Sequence, residues 1–209
     1  MWKAFFLALI LTSCAERNFS ASQFRYHDNG APKPRIALVP VIATKATKMP
    51  WDLSSEFTEI ISEKFLETKQ FFLTKDFSVL GRHLTDLSEI NPLLEDIKWL
   101  YENASTSEFI VFIELVEHTL TPKKSRMPPQ SYSLDIAFRV HVIDIRSAEP
   151  KVILQELIQD TFNISIMLDY STENPAKTAF FLSPLGLAHT QMVKRITKQI
   201  HEYILLSKI

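Results

Sequence analysis

Cysteine and glycine are scarce in this chain, which has one cysteine and three glycines among 209 residues. A single thiol excludes an internal disulfide, a CxxC redox pair and a cysteine-based metal site. The glycines stand far apart, at positions 30, 81 and 186. Phosphate-binding loops and nucleophile elbows need clustered glycines, because the backbone must approach a ligand or turn sharply. Both kinds of site are therefore excluded.

An excess of charge of one sign is also missing, since the formal net charge is −1. Binding to nucleic acid by counterion release needs a clear basic face, so we expect no nucleic-acid partner. Hydrophobic residues make up 46% of the chain, which allows a sizeable core. The length suits one domain or a small pair of domains. Without a disulfide, the hydrophobic core alone must hold that fold.

The longest apolar run is too short to cross a membrane. It covers residues 4–11, whereas a spanning helix needs about 20 apolar residues. The run follows a basic start with Lys3 and leads into Leu11-Thr12-Ser13-Cys14. That order is typical of a secretory signal peptide. We predict that residues 1–13 are a signal peptide that is removed, and an ordinary secretory signal with an incidental thiol is the alternative.

Cys14 stands where cleavage is expected, and the four residues ending in it resemble a bacterial lipobox. The resemblance implies that acyl chains are attached to Cys14 and hold the protein on a membrane. Residues 14–34 are then a lipidated amino terminus and a flexible tether. Ala15, in place of an aspartate, implies sorting to the outer membrane, facing the periplasm.

The periodicity of apolar residues from position 35 onward predicts one α/β domain over residues 35–209. Helix starts are indicated by Asp52 as an N-cap, by Asn91-Pro92 and by Ser183-Pro184. A helical turn or two is predicted within 77–90. The predicted strands are 35–41, 71–73, 109–116 as the central strand, 132–144 and 152–164.

The resulting order is β-α-β-α-β-β-β-α, with a parallel first part followed by an antiparallel meander. This order predicts a single layered domain with a mixed sheet packed by helices. Pro40 cannot donate to a sheet ladder, so the first strand should end or become irregular there.

Candidate catalytic or metal-binding residues are few. Glu117, His118, Asp135 and His141 lie on strands that could be neighbours, and two imidazoles with two carboxylates could bind a metal. Glu117 and His118 must point to opposite faces of their strand, however, because side chains alternate. We interpret the four as solvated polar residues on an outer sheet face, and predict no metal, no cofactor and no enzymatic activity.

The most distinctive surface candidate is a basic, proline-rich loop at 121–131. Its candidate partner-contact residues are Lys123, Lys124, Arg126 and Met127. Such a loop could contact an anionic headgroup, a polysaccharide phosphate or a partner protein. The alternative is a solvated connection between two strands that its charges keep soluble.

The pattern resembles bacterial envelope lipoproteins with the fold of the TolB N-terminal domain, of the LpoB and CsgG type. The resembling segments are Arg35-Ile36-Ala37-Leu38-Val39-Pro40, the helix from Asp52, Phe71-Phe72-Leu73 and the strand within 107–112. The resemblance covers roughly residues 35 to 207 in pattern. It implies the fold and the compartment, and it carries over no functional residue.

Together these features predict a membrane-anchored periplasmic lipoprotein, a non-enzymatic accessory or interaction module in envelope assembly or transport. We expect a membrane contact through Cys14 and a protein partner in the envelope, with the oligomeric state left open. Two alternatives stay open: a CsgG-like secretion or pore subunit, and a hydrolase that would use the histidines and carboxylates above.

Overall fold

The computed structural model describes residues 25–43, 49–74, 97–104, 106–123, 131–165 and 178–208. The predicted helical turns within 77–90 and the predicted helix start at Asn91-Pro92 lie outside these residues. Cys14 and most of the basic loop lie outside them as well.

Ten elements follow one another along the described residues. They are β1 (Arg35–Leu38), β2 (Ile42–Ala43), α1 (Leu53–Thr68), β3 (Phe72–Leu73), α2 (Lys98–Asn103), β4 (Phe109–Pro122), β5 (Ser131–Asp144), β6 (Lys151–Ser165), α3 (Thr178–Leu182) and α4 (Pro184–Leu206). The strands form one six-stranded sheet in the order β3-β1-β4-β5-β6, with β2 also paired to β4. The predicted α/β domain with a mixed, open sheet is confirmed, and β4 is its central strand.

β1 and β2 are two halves of one strand interrupted at Pro40. Both pair with β4 in parallel, β1 at its start and β2 at Glu114 and Leu115. Between them the amide of Val41 donates to the hydroxyl of Thr58 on α1 rather than to the sheet. Proline has no N–H for the ladder, so the predicted irregularity is confirmed.

The two long helices begin at the predicted caps. The Asp52 carboxylate accepts the backbone N–H groups of Ser54 and Ser55, which have no partner inside the helix. At α4 the Ser183 hydroxyl accepts the N–H of Gly186, and Pro184 occupies the first turn. Gly186 also lets this turn approach α3, because a Cβ there would overlap the backbone of Phe180.

A bulge in β4 changes which side chains face the core. The pairing of β4 with β5 shifts between Leu115 and Glu117, so Val116 is an extra residue without an opposite partner. An inserted residue reverses the alternation of every side chain beyond it. His118 therefore lies on the same face as Leu115, although their even and odd numbers would place them on opposite faces of a regular strand.

The main core lies between one face of the sheet and the two long helices. Phe57 and Phe65 of α1 and Met192 and Ile196 of α4 are buried there against sheet residues such as Phe138. A smaller core lies on the opposite face, beneath α2. It comprises Ala37, Val39, Leu100, Ala104, Ile110, Phe112, Ile143 and Ile145.

The polar residues of β6 point alternately to the two faces of the sheet. Glu156 and Asp160 lie on the side covered by α4, where they pair with Gln199 and Arg195. The Asp160 carboxylate and the Arg195 guanidinium are 2.7 Å apart.

Candidate functional site

The four residues first considered for a metal or catalytic site do not come together. His118 points into the main core, whereas Glu117 is exposed on the opposite face. Asp135 and His141 lie on that opposite face too, but six residues apart along β5, which is about 20 Å. Asp135 accepts the hydroxyl of Thr161 on β6 at 2.6 Å. A hydrolase built from these four residues has no common site.

The interpretation of both histidines as solvated residues was wrong. His118 is fully buried because the bulge at Val116 turns it toward α1 and α4. His141 is buried on the opposite face, next to the Arg139–Glu114 ion pair. Burial, followed by the charge of Arg139, holds the pKa of His141 below its usual value, while Glu114 opposes the shift.

A polar cluster in the main core links three elements through hydrogen bonds, and we call it the buried histidine chain. It consists of Trp51, Glu56, His189 and His118. Trp51 Nε1 donates to Glu56 Oε2 at 2.7 Å, and the other carboxylate oxygen lies 2.6 Å from His189 Nδ1. The Nε2 atoms of His189 and His118 are 3.0 Å apart. The buried histidine chain thus connects the start of α1, the first turns of α4 and the bulged part of β4.

Aromatic rings enclose the buried histidine chain. The ring of His189 lies 4.7 Å from that of Phe57 and 5.9 Å from that of Phe180, measured between centroids. Both imidazole rings have no solvent exposure. Burying polar groups in such surroundings is costly unless they are hydrogen-bonded, and the buried histidine chain supplies such bonds to the Glu56 carboxylate, to both nitrogens of His189 and to Nε2 of His118.

The short distances within the buried histidine chain restrict which imidazole nitrogens can carry a hydrogen. Two N–H groups cannot face each other at 3.0 Å, so one of the two Nε2 atoms must be an acceptor. An ionised Glu56 accepts hydrogen bonds from both Trp51 and His189, which leaves Nε2 of His189 free to accept from His118. Burial, and next the facing imidazole of His189, lowers the pKa of His118 to about 3. His118 is therefore neutral at physiological pH.

Sequence reasoning missed Glu56 and His189, although a signal was present. Glu56 is three residues after Leu53 and four before Ile60, so it lies on the apolar face of α1. His189 occupies the same kind of position on α4, four residues after Leu185. A titratable side chain on each of two apolar helix faces indicates that the two meet in the core.

Of the predicted partner-contact residues, only Lys123 is described. It is exposed at the end of β4, and its ammonium donates to the side-chain carbonyl of Asn163 on β6. Lys124, Arg126 and Met127, like the lipidation site Cys14, lie outside the described residues. Nothing in the structure tests these four positions.

The described residues contain no group of three or more histidine, cysteine or acidic side chains that could hold a metal. No helix in the described part of the chain has the length and hydrophobicity to cross a membrane.

Comparison with solved structures finds the same fold in a hypothetical protein, CT253 from Chlamydia trachomatis. It is 24% identical, the match covers 82% of this chain and 98% of that one, and the TM-score is 0.69. Lipoprotein GNA1162 from Neisseria meningitidis matches at 12% identity over 79% of this chain and 99% of its own, with a TM-score of 0.42. A minor lipoprotein from Acinetobacter baumannii matches at 8% identity over 80% and 94%, with a TM-score of 0.35.

These matches do not test the resemblance to proteins with the TolB N-terminal fold, which stays a prediction. No curated protein matches the chain. The model of a family of unknown function, DUF7499, matches residues 22–208, which is most of the sequence. The chain therefore belongs to the DUF7499 family.

Proposed function

We propose that this protein is a lipid-anchored module of the bacterial cell envelope that works by binding. Acyl chains on Cys14 hold it on a membrane, and its folded domain contacts a protein partner in envelope assembly or transport. Anchoring raises the effective concentration of the domain for partners at the same membrane.

One observation carries the proposal: the only cysteine stands directly after a signal-like segment. Lys3, the apolar run 4–11 and the small residues Thr12 and Ser13 precede Cys14 in the order that processing requires. Each buried methylene of an acyl chain contributes about 0.8 kcal/mol, so two or three chains provide stable attachment.

The surroundings of the histidines and carboxylates in the described domain support a binding function rather than a catalytic one. Both imidazoles of the buried histidine chain have no solvent exposure, so they do not reach a substrate. On the outer sheet face, Glu114 pairs with Arg139 and Asp135 with Thr161. These side chains are engaged with one another across the strands.

The Cys14→Ala variant tests the anchor. We expect it to fold normally and to move from the membrane fraction to the soluble fraction of cells. Ser13→Ala is the matched control, because it keeps a small residue before the cysteine and should stay in the membrane. Mass spectrometry of the wild type should find acyl chains on an amino-terminal Cys14. Unchanged membrane retention of Cys14→Ala would contradict the proposal.

Placement on the outer membrane, facing the periplasm, is part of the proposal and rests on Ala15. Density-gradient separation of inner and outer membranes checks it. The protein should sediment with outer-membrane markers. Sedimentation with the inner membrane would contradict the outer-membrane location and leave only the proposed lipid anchor.

The partner surface is proposed at the 121–131 loop. Crosslinking of the lipidated protein in intact cells should capture an envelope protein. Capture should fall when Lys123, Lys124 and Arg126 are all changed to glutamate. The matched control changes Lys194 and Lys198, exposed on α4, to glutamate. An equal loss of capture in both variants would remove the loop as the contact.

A secretion or pore subunit remains the second candidate. It would need a lipid-facing surface on β5 and β6, and α4 lies over one face of these strands through Arg195 and Gln199. Rings of many subunits that survive detergent would favour the pore over the accessory module.

A further inference from the structure

The carboxylate of Glu108 lies at one end of the domain. We call this end of the domain the basal end. The carboxylate accepts the backbone N–H of Arg35 at 2.9 Å and lies 3.7 Å from Nζ of Lys208. The start of β1, the start of β4 and the end of α4 therefore meet there. Arg146 adds a further link by donating to the carbonyl of Ser207 at 2.8 Å.

The amino-terminal segment of the described chain leaves from this same end. Residues 25–34 form a turn in which the amide of Lys33 donates to the carbonyl of Arg25. The Arg25 guanidinium lies 5.2 Å from the ring centroid of Phe72 on β3, and the Phe72 amide donates to the carbonyl of Pro34. The turn is thus held against the edge of the sheet beside the start of β1.

The basal end exposes large apolar side chains that the core does not use. Tyr26 in the turn is 59% exposed, and Leu206 at the end of α4 is 65% exposed. Leu205 is exposed beside it, and the cationic side chains of Arg25 and Lys208 lie at the same end. Aromatic, aliphatic and basic side chains together are the composition that suits the interface between lipid headgroups and acyl chains.

The length of chain before Arg25 limits how the domain can face a bilayer. From Cys14 to Arg25 there are eleven Cα steps, which span at most about 40 Å in any conformation. Lys123 lies at the other end of β4, a strand of 14 residues, and therefore about 45 Å from the basal end. An anchor at Cys14 cannot hold the end with Lys123 against the membrane while the basal end is turned away.

We propose that the basal end rests on the phospholipid surface to which Cys14 is anchored, with Tyr26, Leu205 and Leu206 in contact with the headgroup region. This inference rests on the proposed lipid anchor and adds an orientation to it. The end of the domain with Lys123 then points away from the bilayer. Leu182 at the end of α3 and Leu187 in the first turn of α4 then also point away from the bilayer, and they are 75% and 54% exposed.

A fluorescent label at each end of α4 tests the orientation. The chain has no thiol besides Cys14, which is acylated in the anchored form, so a new cysteine is labelled alone. Leu206→Cys places the label at the basal end, and Leu187→Cys is the matched control. The two leucines lie on the same helix with similar exposure, 19 residues and about 28 Å apart.

The lipidated, full-length variants are reconstituted on vesicles of phosphatidylethanolamine and phosphatidylglycerol that carry brominated acyl chains. Bromine should quench the label at position 206 and leave the label at 187 unquenched. Equal quenching at both positions, quenching at 187 alone, or none at either position would overturn the orientation. Failure of the chain to bind the vesicles at all would instead refute the anchor, so the two proposals are distinguished.

Discussion

The buried histidine chain makes the stability of this protein depend on pH. His118 is neutral when folded, because burial and the facing His189 lower its pKa to about 3 from an ordinary value of 6.5. In the unfolded chain the imidazole regains its ordinary pKa. Between these two values the unfolded state binds a proton that the folded state does not. Stability is therefore retained above pH 6.5 and lost as the pH falls below it.

The magnitude follows from the difference between the two states. At pH 5 the unfolded imidazole is almost fully protonated and the folded one is not, so His118 alone costs about 2 kcal/mol of unfolding free energy. Total stabilities of domains are about 5–15 kcal/mol, so this loss is large enough to measure. Among the described residues, the titratable group that faces His118 is His189 from α4, whose Nδ1 atom in turn contacts the carboxylate of Glu56 from α1.

Urea unfolding followed by circular dichroism at pH 7.5 and pH 5.0 measures the effect. The His118→Gln variant cannot titrate at this position, so its loss of stability between the two pH values should be about 2 kcal/mol smaller than that of the wild type. His27→Gln is the control, because it removes a histidine from the surface turn and should leave the full loss in place. The same pH loss in His118→Gln and wild type would refute the reasoning.

Three further substitutions test contacts around the same core by their effect on unfolding free energy. Gly186→Ala should destabilise the domain by about 1–3 kcal/mol, because the added Cβ would overlap the backbone of Phe180; unchanged denaturant midpoints would show that α3 can move aside. Asp52→Ala removes the cap of α1 and should cost about 1 kcal/mol in the same assay, whereas Asp52→Asn should recover most of it. Trp51→Phe keeps an aromatic ring, although a smaller one, and removes the hydrogen bond to Glu56, with an expected loss of about 1.5–3 kcal/mol; no loss would mean that the bond contributes nothing.

Much of the fold could be predicted from local patterns. The caps Asp52 and Ser183, the interruption at Pro40 and the long alternating strand β5 are visible in the sequence because each depends on neighbours within a few residues. The order of elements then restricts the topology, since a parallel start followed by hairpins leaves few arrangements. The predicted central strand was confirmed for the same reason.

The candidate site was predicted poorly because it depends on contacts between distant segments. Glu56 and His189 are 133 residues apart, and neither belongs to a recognisable motif. His118 was interpreted as a solvated residue, and on a regular strand it would lie on the face opposite Leu115. The bulge at Val116 broke that alternation, and nothing near it in the sequence, such as a glycine, indicates a bulge.

The sequence by itself was sufficient to propose the lipid anchor at Cys14 and to predict the helix caps and the α/β class. Each of these depends on adjacent residues or on a repeating period of apolar residues. Tertiary packing alone decided that His118 meets His189 in the core and that the amino-terminal turn and the end of α4 share one end of the domain. Those features arise from the register of β4 on β5 and from the docking of α4 on the sheet. Both are settled by the burial of side chains far apart in the chain, which no local pattern records.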